Sequence, residues 1–261
     1  MTKTQLLRRI FFPTALLFIP SLGVSQGPSL DDLPPELVTK HILKSMTHKE
    51  IVSTVGHVSK KFHALSLSDS TWTRTLITSQ KELNLFLEAS KTRPQLPVEE
   101  FQLTNLTLSS AQTLSLMDVL CSEKTPHLKR FSVLNCKLNF EEIDKGKFSS
   151  FQQWLGAHSQ LNELHFVKTS LPFPFVSSVC RGLKDNESLR ELTFDEVFKL
   201  GTLPPHFSES VENNTTLKTF NFRDNIVTSS YDDNPIGQME AINKRDRLKC
   251  FFEGTETRLV L

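Results

Sequence analysis

The stretch VCRGLKDNESLRELTF, residues 179–194, contains the pattern that decides the fold of this chain. Its last six residues, LRELTF from Leu189, place leucine or phenylalanine at the first, fourth and sixth positions of a predicted short strand. The pattern recurs as VEEFQL from Val98, LKRFSV from Leu128, LNELHF from Leu161, LKTFNF from Leu217 and, more weakly, LKCFFE from Leu248. The starts of the copies are separated by 30, 33, 28, 28 and 31 residues. Such a period predicts a solenoid of stacked units.

The spacing between the strands leaves room for helices, predicted over residues 111–123, 148–158, 175–185, 205–213 and 236–246. Their apolar side chains are expected to pack on the strand leucines, because a single repeat cannot bury its apolar face alone. The alternative is an ordinary α/β domain with a parallel sheet. That alternative predicts buried apolar runs but no fixed period.

Side chains alternate along a strand, so the positions between the buried ones are predicted to face the concave side of the solenoid. These positions are Glu100, Gln102, Thr104, Arg130, Ser132, Leu134, Glu163, His165, Val167, Glu191, Thr193, Asp195, Thr219, Asn221 and Arg223. No single charge dominates among them, which indicates a protein ligand. The predicted binding residues are Arg130, Ser132, Glu163, His165, Glu191, Thr193, Thr219, Asn221 and Arg223.

These units resemble leucine-rich repeats of the longer, ribonuclease-inhibitor-like kind, in which a turn and a helix follow each strand. Cys136 and Asn225 stand where that family places its turn residue, and Thr169 is an acceptable third. Val197 and the LPFPF segment, residues 171–175, depart from the family pattern. The resemblance implies an α/β fold of parallel strands plus helices over residues 98–261.

A second apolar pattern lies nearer the N-terminus. Ile51, Val55, Val58, Phe62 and Leu65 follow at intervals of 4, 3, 4 and 3, and a further step of 4 joins Trp72 to Leu76. This spacing predicts short helices that share one apolar seam. Gly56 predicts a break between two of them, because glycine costs about 1 kcal/mol relative to alanine in a helix. A small helical bundle without a partner would carry the same stripe.

The order of residues in this region resembles the F-box, a helical module that docks substrate adaptors onto the Skp subunit of cullin-RING ubiquitin ligases. The matching features are LPPEL at 33–37, the pair Ile42-Leu43, VSKKF at 58–62, and Trp72 with Leu76. The resemblance implies a small all-α bundle over residues 30–76. It also implies the Skp-binding residues Leu33, Pro34, Leu37, Ile42, Leu43, Ile51, Val55, Val58, Phe62, Leu65, Trp72 and Leu76.

Residues 75–91 still show helical spacing and are predicted to connect the F-box-like segment to the repeats. The TRPQLP segment, residues 92–97, contains two prolines and no periodicity. Prolines and the loss of periodicity indicate a loop. The sequence therefore predicts a helical connection and linker over 77–97, with the boundary of the repeat domain at its end.

The first 25 residues have the pattern of a secretory signal peptide. Lys3, Arg8 and Arg9 precede an uncharged run over residues 10–24, and Gly23 and Ser25 supply small residues before a cleavage site at Gln26. Pro13 and Pro20 interrupt the run, which is short for a membrane span of about 20 apolar residues. An uncleaved membrane anchor and a coincidental apolar leader are the alternatives. Membrane contact is expected only if the leader is uncleaved.

Composition and sequence motifs favour a protein without catalytic activity. Thirty basic and twenty-nine acidic residues leave a charge of +1, which argues against nucleic acid as a partner. The eight histidines and four cysteines form no HExxH or CxxC set, and no phosphate-binding loop is present. We expect no metal and no cofactor. Cys180 as a nucleophile paired with a distant histidine is the alternative, and the cysteines otherwise have the pattern of small buried hydrophobes.

The sequence therefore predicts a non-catalytic adaptor. The F-box resemblance implies Skp and, through it, cullin as partners, and the repeats would hold an unidentified protein substrate. Because Skp is cytosolic or nuclear, the leader suggests an effector exported into a host cytosol; a cytoplasmic or membrane-tethered chain that faces the cytosol is the alternative. The rival function is a secreted or tethered leucine-rich-repeat protein without a ligase. Asn105, Asn186, Asn213 and Asn214 are glycosylation acceptors if the chain enters an endoplasmic reticulum, and glycans on Asn186 or Asn213 would support that rival.

Overall fold

Strands and helices alternate along the chain in the computed structural model, which describes residues 73–201, 203–204, 206–229, 237, 242 and 248–259. The predicted leader and the F-box-like segment up to Trp72 lie outside the described residues. The strands are β1 Arg74–Ile77, β2 Glu100–Thr104, β3 Thr107–Leu108, β4 Arg130–Leu134, β5 Lys137–Leu138, β6 Glu163–Val167, β7 Glu191–Asp195, β8 Lys199–Gly201, β9 Thr219–Asn221, β10 Ile226–Ser229, β11 Lys249–Phe251 and β12 Glu256–Leu259. The helices are α1 Gln80–Thr92, α2 Ser110–Leu120, α3 Lys145–Ala157, α4 Phe173–Asp185 and α5 Phe207–Asn213.

One parallel sheet contains every predicted repeat strand. Its seven strands lie in the order β1, β2, β4, β6, β7, β9, β11, which is also their order along the chain. The register places equivalent residues side by side, with Leu164 opposite Leu192 and Phe166 opposite Phe194. The predicted α/β solenoid of parallel strands and helices is therefore confirmed.

The turn after each repeat strand contains one residue with positive φ. These residues are Asn105, Asn135, Lys168, Glu196 and Asp224, with φ between 49° and 57°, and Gly254 after β11, with φ 70°. Asparagine and aspartate tolerate this left-handed conformation better than lysine or glutamate. The turns lead into two smaller parallel ladders, β3 with β5 and β8 with β10 and β12. The chain thus changes direction in the same way in each unit.

The helices cover one face of the large sheet through a continuous series of phenylalanine rings. Centroid separations along the series are 4.7–6.1 Å, from Phe86 through Phe101, Phe131 and Phe166 to Phe194, Phe198 and Phe222. Aromatic rings at these separations pack favourably. Many of the 20 phenylalanines in a chain with one tyrosine are therefore core residues.

The prediction of a single helix over residues 75–91 is wrong. Arg74–Ile77 is a strand paired with β2, and α1 begins only after Ser79. Ser79 and Glu82 form a capping box there, which fixes the helix start. The parallel pairing with β2 decides the conformation of the preceding residues, a contact that local periodicity does not reveal.

The strand at Arg74–Ile77 also contradicts two other predictions, the position of Leu76 and the start of the repeat domain. Leu76, which the F-box resemblance placed among the Skp-binding residues, lies in β1 opposite Gln102. The repeat sheet also begins at Arg74, before the predicted linker rather than after it. Residues 77–97 therefore include α1 and the loop that connects two strands of the same sheet.

The other helices lie within a few residues of their predicted bounds. Helices α2, α3 and α4 start one to three residues earlier than predicted, and α5 starts two residues later. Ser109 and Asp144 cap the N-termini of α2 and α3 with their side chains. Most of the helix predicted over 236–246 lies outside the described residues.

Candidate protein-binding face

The face of the seven-stranded sheet opposite the helices, here called the open face, carries the predicted binding residues. They alternate with buried core residues along each strand, so that Glu163, His165 and Val167 of β6 are half-buried while Leu164 and Phe166 are buried. Arg130, Glu191, Thr219, Asn221 and Arg223 are also half-buried. Ser132 and Thr193, in contrast, are only 4% exposed and offer little surface to a ligand.

Ion pairs connect the charged residues at the start of these strands. Arg74 Nε lies 3.2 Å from Glu100, and Arg130 Nη1 lies 3.6 Å from the same carboxylate. Arg130 also donates two hydrogen bonds to Glu163, from Nε and from Nη2, the latter at 2.8 Å. A planar guanidinium that donates twice to one carboxylate is held in a defined orientation. The row therefore has charges of alternating sign, of which Arg130 and Glu163 are held in a defined orientation.

The electrostatics of the Arg130–Glu163 pair follow from this geometry. The hydrogen bond from Arg130 lowers the pKa of Glu163, with a smaller contribution from His165, and burial opposes the change. The hydrogen bond that Arg130 donates to Glu163 raises the pKa of Arg130. Both side chains therefore remain charged around neutral pH.

His165 occupies the middle of the open face and contacts both neighbouring positions. Its Nε2 lies 3.2 Å from Glu163 Oε2, and its Nδ1 lies 3.0 Å from Thr193 Oγ1. Glu191 is further away, at 3.9 Å from Nδ1. The imidazole is thus oriented by groups from two strands, and its contact with Glu191 is the longest of the three.

The β9 end of the open face has a different character. The Arg223 guanidinium lies 4.6 Å from the centroid of the Phe251 ring, and its Nε lies 3.2 Å from Glu253. A cation over an aromatic ring is attracted to the face of the ring. Asn221 Oδ1 is buried without a hydrogen-bond partner among the described residues.

Three carboxylates meet at the turns beside this end, a group that sequence reasoning did not identify although it placed Asp195 on the concave face. Oxygen atoms of Asp195, Glu196 and Asp224 lie within 4.8 Å of one another. Burial, followed by the charges of Asp224 and Glu196, raises the pKa of Asp195. Lys168 lies 3.2 Å from Glu196 and offsets part of the repulsion. The group spans two repeats, and only the 28-residue spacing of the turns could have brought it to notice.

The structure separates the four glycosylation acceptors into two pairs. Asn186 and Asn214 are 3% exposed. The Asn186 amide donates to Leu155 O at 2.6 Å and His158 O at 3.1 Å, and its Oδ1 accepts from Ser188 N and Leu189 N. Asn214 makes the equivalent four bonds one repeat later. In the folded chain only Asn105 and Asn213 are exposed and could carry a glycan.

Two further sequence hypotheses concern chemistry and membranes. Cys180 is buried, and burial raises the pKa of its thiol to about 12, so the thiolate that a nucleophile requires does not form near neutral pH. Among the described helices, none is both long and apolar enough to cross a bilayer.

No protein-family model matches the chain, and no curated protein matches it. Among solved structures, it is similar to the tropomodulin C-terminal domain from Caenorhabditis elegans, with 14% identity, 62% of this chain and 92% of that chain covered, and a TM-score of 0.43. It is also similar to a structure described as a TDR receptor, with 15% identity, 62% of this chain and 33% of that chain covered, and a TM-score of 0.28. At these values neither likeness assigns a family or a function.

Proposed function

We propose that this protein is a non-catalytic adaptor of an SCF-type E3 ubiquitin ligase. In this proposal the F-box-like segment, residues 30–76 as the sequence predicts it, binds a Skp-family protein and through it cullin. The open face of the solenoid holds the protein that is to be ubiquitinated. Ubiquitin transfer is carried out by other subunits of the complex.

One observation on the described residues supports the binding role most directly. Charged side chains on the open face are held by neighbouring strands before any ligand is present, as in the Arg74, Glu100, Arg130 and Glu163 row. Charges that are already oriented lose little conformational freedom on binding, which favours specific recognition of a protein surface. The supported class of function is therefore protein binding.

The ligase connection rests on the sequence resemblance alone. The F-box-like segment, residues 30–76, overlaps β1, Arg74–Ile77, at its C-terminal end. If the leader is cleaved, this role requires delivery into a host cytosol; without cleavage, it requires a chain that faces the cytosol.

The rival is a secreted or membrane-tethered repeat protein with a recognition or structural role. The signal-peptide pattern of residues 1–25 favours it. Asn186 is buried, so of the two glycans that would support the rival only the one on Asn213 remains accessible.

Affinity capture tests the proposal. Residues 26–261 should bring Skp and cullin out of eukaryotic cytosolic extract, and a double Leu33→Ala, Pro34→Ala variant should lose this capture. Central apolar anchors of an interface are worth roughly 2 kcal/mol or more, which corresponds to a loss of about 30-fold in affinity.

The matched control is Leu85→Ala, which removes an exposed apolar side chain within α1 and should leave Skp capture unchanged. Circular dichroism should show that all variants remain folded. Undiminished capture by the double variant at equal expression would exclude the ligase assignment and leave the rival.

A further inference from the structure

A row of polar side chains connects successive repeats just before their strands begin. Each residue stands three positions before the buried leucine that precedes a strand: Thr125 before Leu128, His158 before Leu161, Asn186 before Leu189 and Asn214 before Leu217. Each side chain of the last three contacts the carbonyl group at the equivalent position one repeat earlier: Asn214 with Asn186 O at 2.7 Å, Asn186 with His158 O at 3.1 Å, and His158 with Thr125 O at 3.4 Å. We call each such contact a joint.

His158 performs the role of asparagine in this row. Asn186 Oδ1 accepts from the N–H groups two and three residues later, Ser188 and Leu189. His158 Nδ1 does the same with Gln160 N at 3.3 Å and Leu161 N at 3.1 Å. Because Nδ1 accepts, it carries no proton, and the ring is the neutral tautomer that donates from Nε2 to Thr125 O.

The difference between the two residue types is that imidazole titrates and amide does not. A second proton on the ring must go to Nδ1, where it would point at two N–H groups and remove their acceptor. We propose that His158 makes the joint between the β4 and β6 repeats sensitive to acid, while the two asparagine joints of the following repeats remain insensitive.

The hydrogen-bond partners of the ring include no acidic side chain that could stabilise a positive charge on it. Trp154 packs against the ring at 5.1 Å between centroids, and the three ring hydrogen bonds all involve backbone groups. Of the titratable and charged side chains around it, Cys121 and Glu123 line the same cavity as the ring, and Asp185 lies beside Gly156 of α3. Lys124 and Glu187 neighbour Thr125 and Asn186 in sequence. Burial raises the pKa of Cys121 to about 12, so its thiol stays neutral.

The direction of the pH dependence follows from linkage. Burial lowers the pKa of His158 below its ordinary value of 6.5, and the weaker opposing effect is the Thr125 contact. Between those two pKa values the opened joint binds more protons than the closed one, so the joint is weakened as the pH falls below 6.5. The loss approaches tenfold in the closing equilibrium for each pH unit that separates the two values.

Hydrogen exchange of the full chain between pH 7.5 and 5 tests this proposal with internal controls. Protection factors, corrected for the intrinsic pH dependence of exchange, should fall on acidification at Gln160 and Leu161. They should hold at Ser188 and Leu189 and at Thr216 and Leu217, which bond to asparagine. If the protection at all three joints follows the same pH course, the proposal is wrong.

Two variants separate a titration of this ring from a general effect of acid. His158→Asn places the side chain of the neighbouring repeats at this joint and should abolish the selective loss. His206→Asn changes a histidine whose side chain is 70% exposed and should retain it. Selective loss that persists in His158→Asn would overturn the proposal, whatever the stability of that variant.

Discussion

The two faces of the seven-stranded sheet are built from alternating residues of the same strands, but different interactions hold their side chains. On the helix-covered face, Leu164 and Phe194 are fully buried and pack without directional bonds. On the open face, Arg130 and Glu163 are held by paired hydrogen bonds, and the Glu163 side chain remains 29% exposed. Apolar burial scales with the area removed from water, whereas ion pairs depend on geometry and on screening by solvent.

This difference means that the open face is not uniform. Some of its residues are bound into the scaffold, as Glu163 is by Arg130 and His165. Others, such as Glu191, have weak contacts and are 40% exposed. Substitutions on the open face should therefore range from costly to neutral, and two variants on that face can be compared with one on the helix-covered face.

The largest effect is expected for Leu164→Ala on the helix-covered face. Leu164 is fully buried in β6, and the variant removes methyl groups from a packed core. Such changes cost about 2–5 kcal/mol of unfolding free energy, from the lost transfer energy and the cavity that remains. Urea unfolding followed by tryptophan fluorescence measures it. A loss below about 1 kcal/mol would show that this face is not the packed one.

A smaller effect is expected for Glu163→Lys, one residue away on the open face. The variant removes the acceptor of two Arg130 hydrogen bonds and places a second positive charge beside the guanidinium. We expect a cost of about 1–2 kcal/mol, between that of an exposed ion pair and that of a hydrogen bond to a charged group. The same urea titration measures it, and a cost equal to that of Leu164→Ala would contradict the assignment of strand faces.

The pH dependence of stability tests the contribution of Glu163 independently of the charge reversal. The pKa of Glu163 is lowered from 4.5, so its contribution to stability is present above about pH 4.5 and is lost as the pH falls through the lowered value. A Glu163→Gln variant should therefore lose less stability than the unmodified protein when the pH falls from 6 to 3.

The smallest effect is expected for Glu191→Lys. Its carboxylate lies 3.9 Å from a histidine nitrogen that already contacts Thr193. Exposed positions without special contacts usually change stability by less than about 0.5 kcal/mol. Unfolding should be nearly unchanged, while capture of a protein ligand by the open face should weaken, because a reversed charge across an interface is unfavourable. A loss above 1 kcal/mol would show that Glu191 belongs to the scaffold.

The sequence by itself determined the repeat and the strand faces. The spacing of Leu161, Leu164 and Phe166 identified a short strand with one buried side, and its recurrence identified a solenoid, because the same geometric requirement acts in every unit. The alternation also assigned Glu163 and Leu164 to opposite faces correctly. The order of the strands followed from the period, since neighbouring units must stack.

Only the tertiary structure decided which polar residues are free and which are bound. Asn186 and Asn213 have the same local acceptor pattern, but Asn186 is enclosed by carbonyl groups of the preceding repeat, which lie 28 and 31 residues away in sequence. Likewise Thr75 and Leu76 continue a helical spacing, yet pairing with β2 makes them a strand. Local patterns record what a segment can form by itself, whereas these outcomes depend on hydrogen-bond partners that only the folded chain brings together.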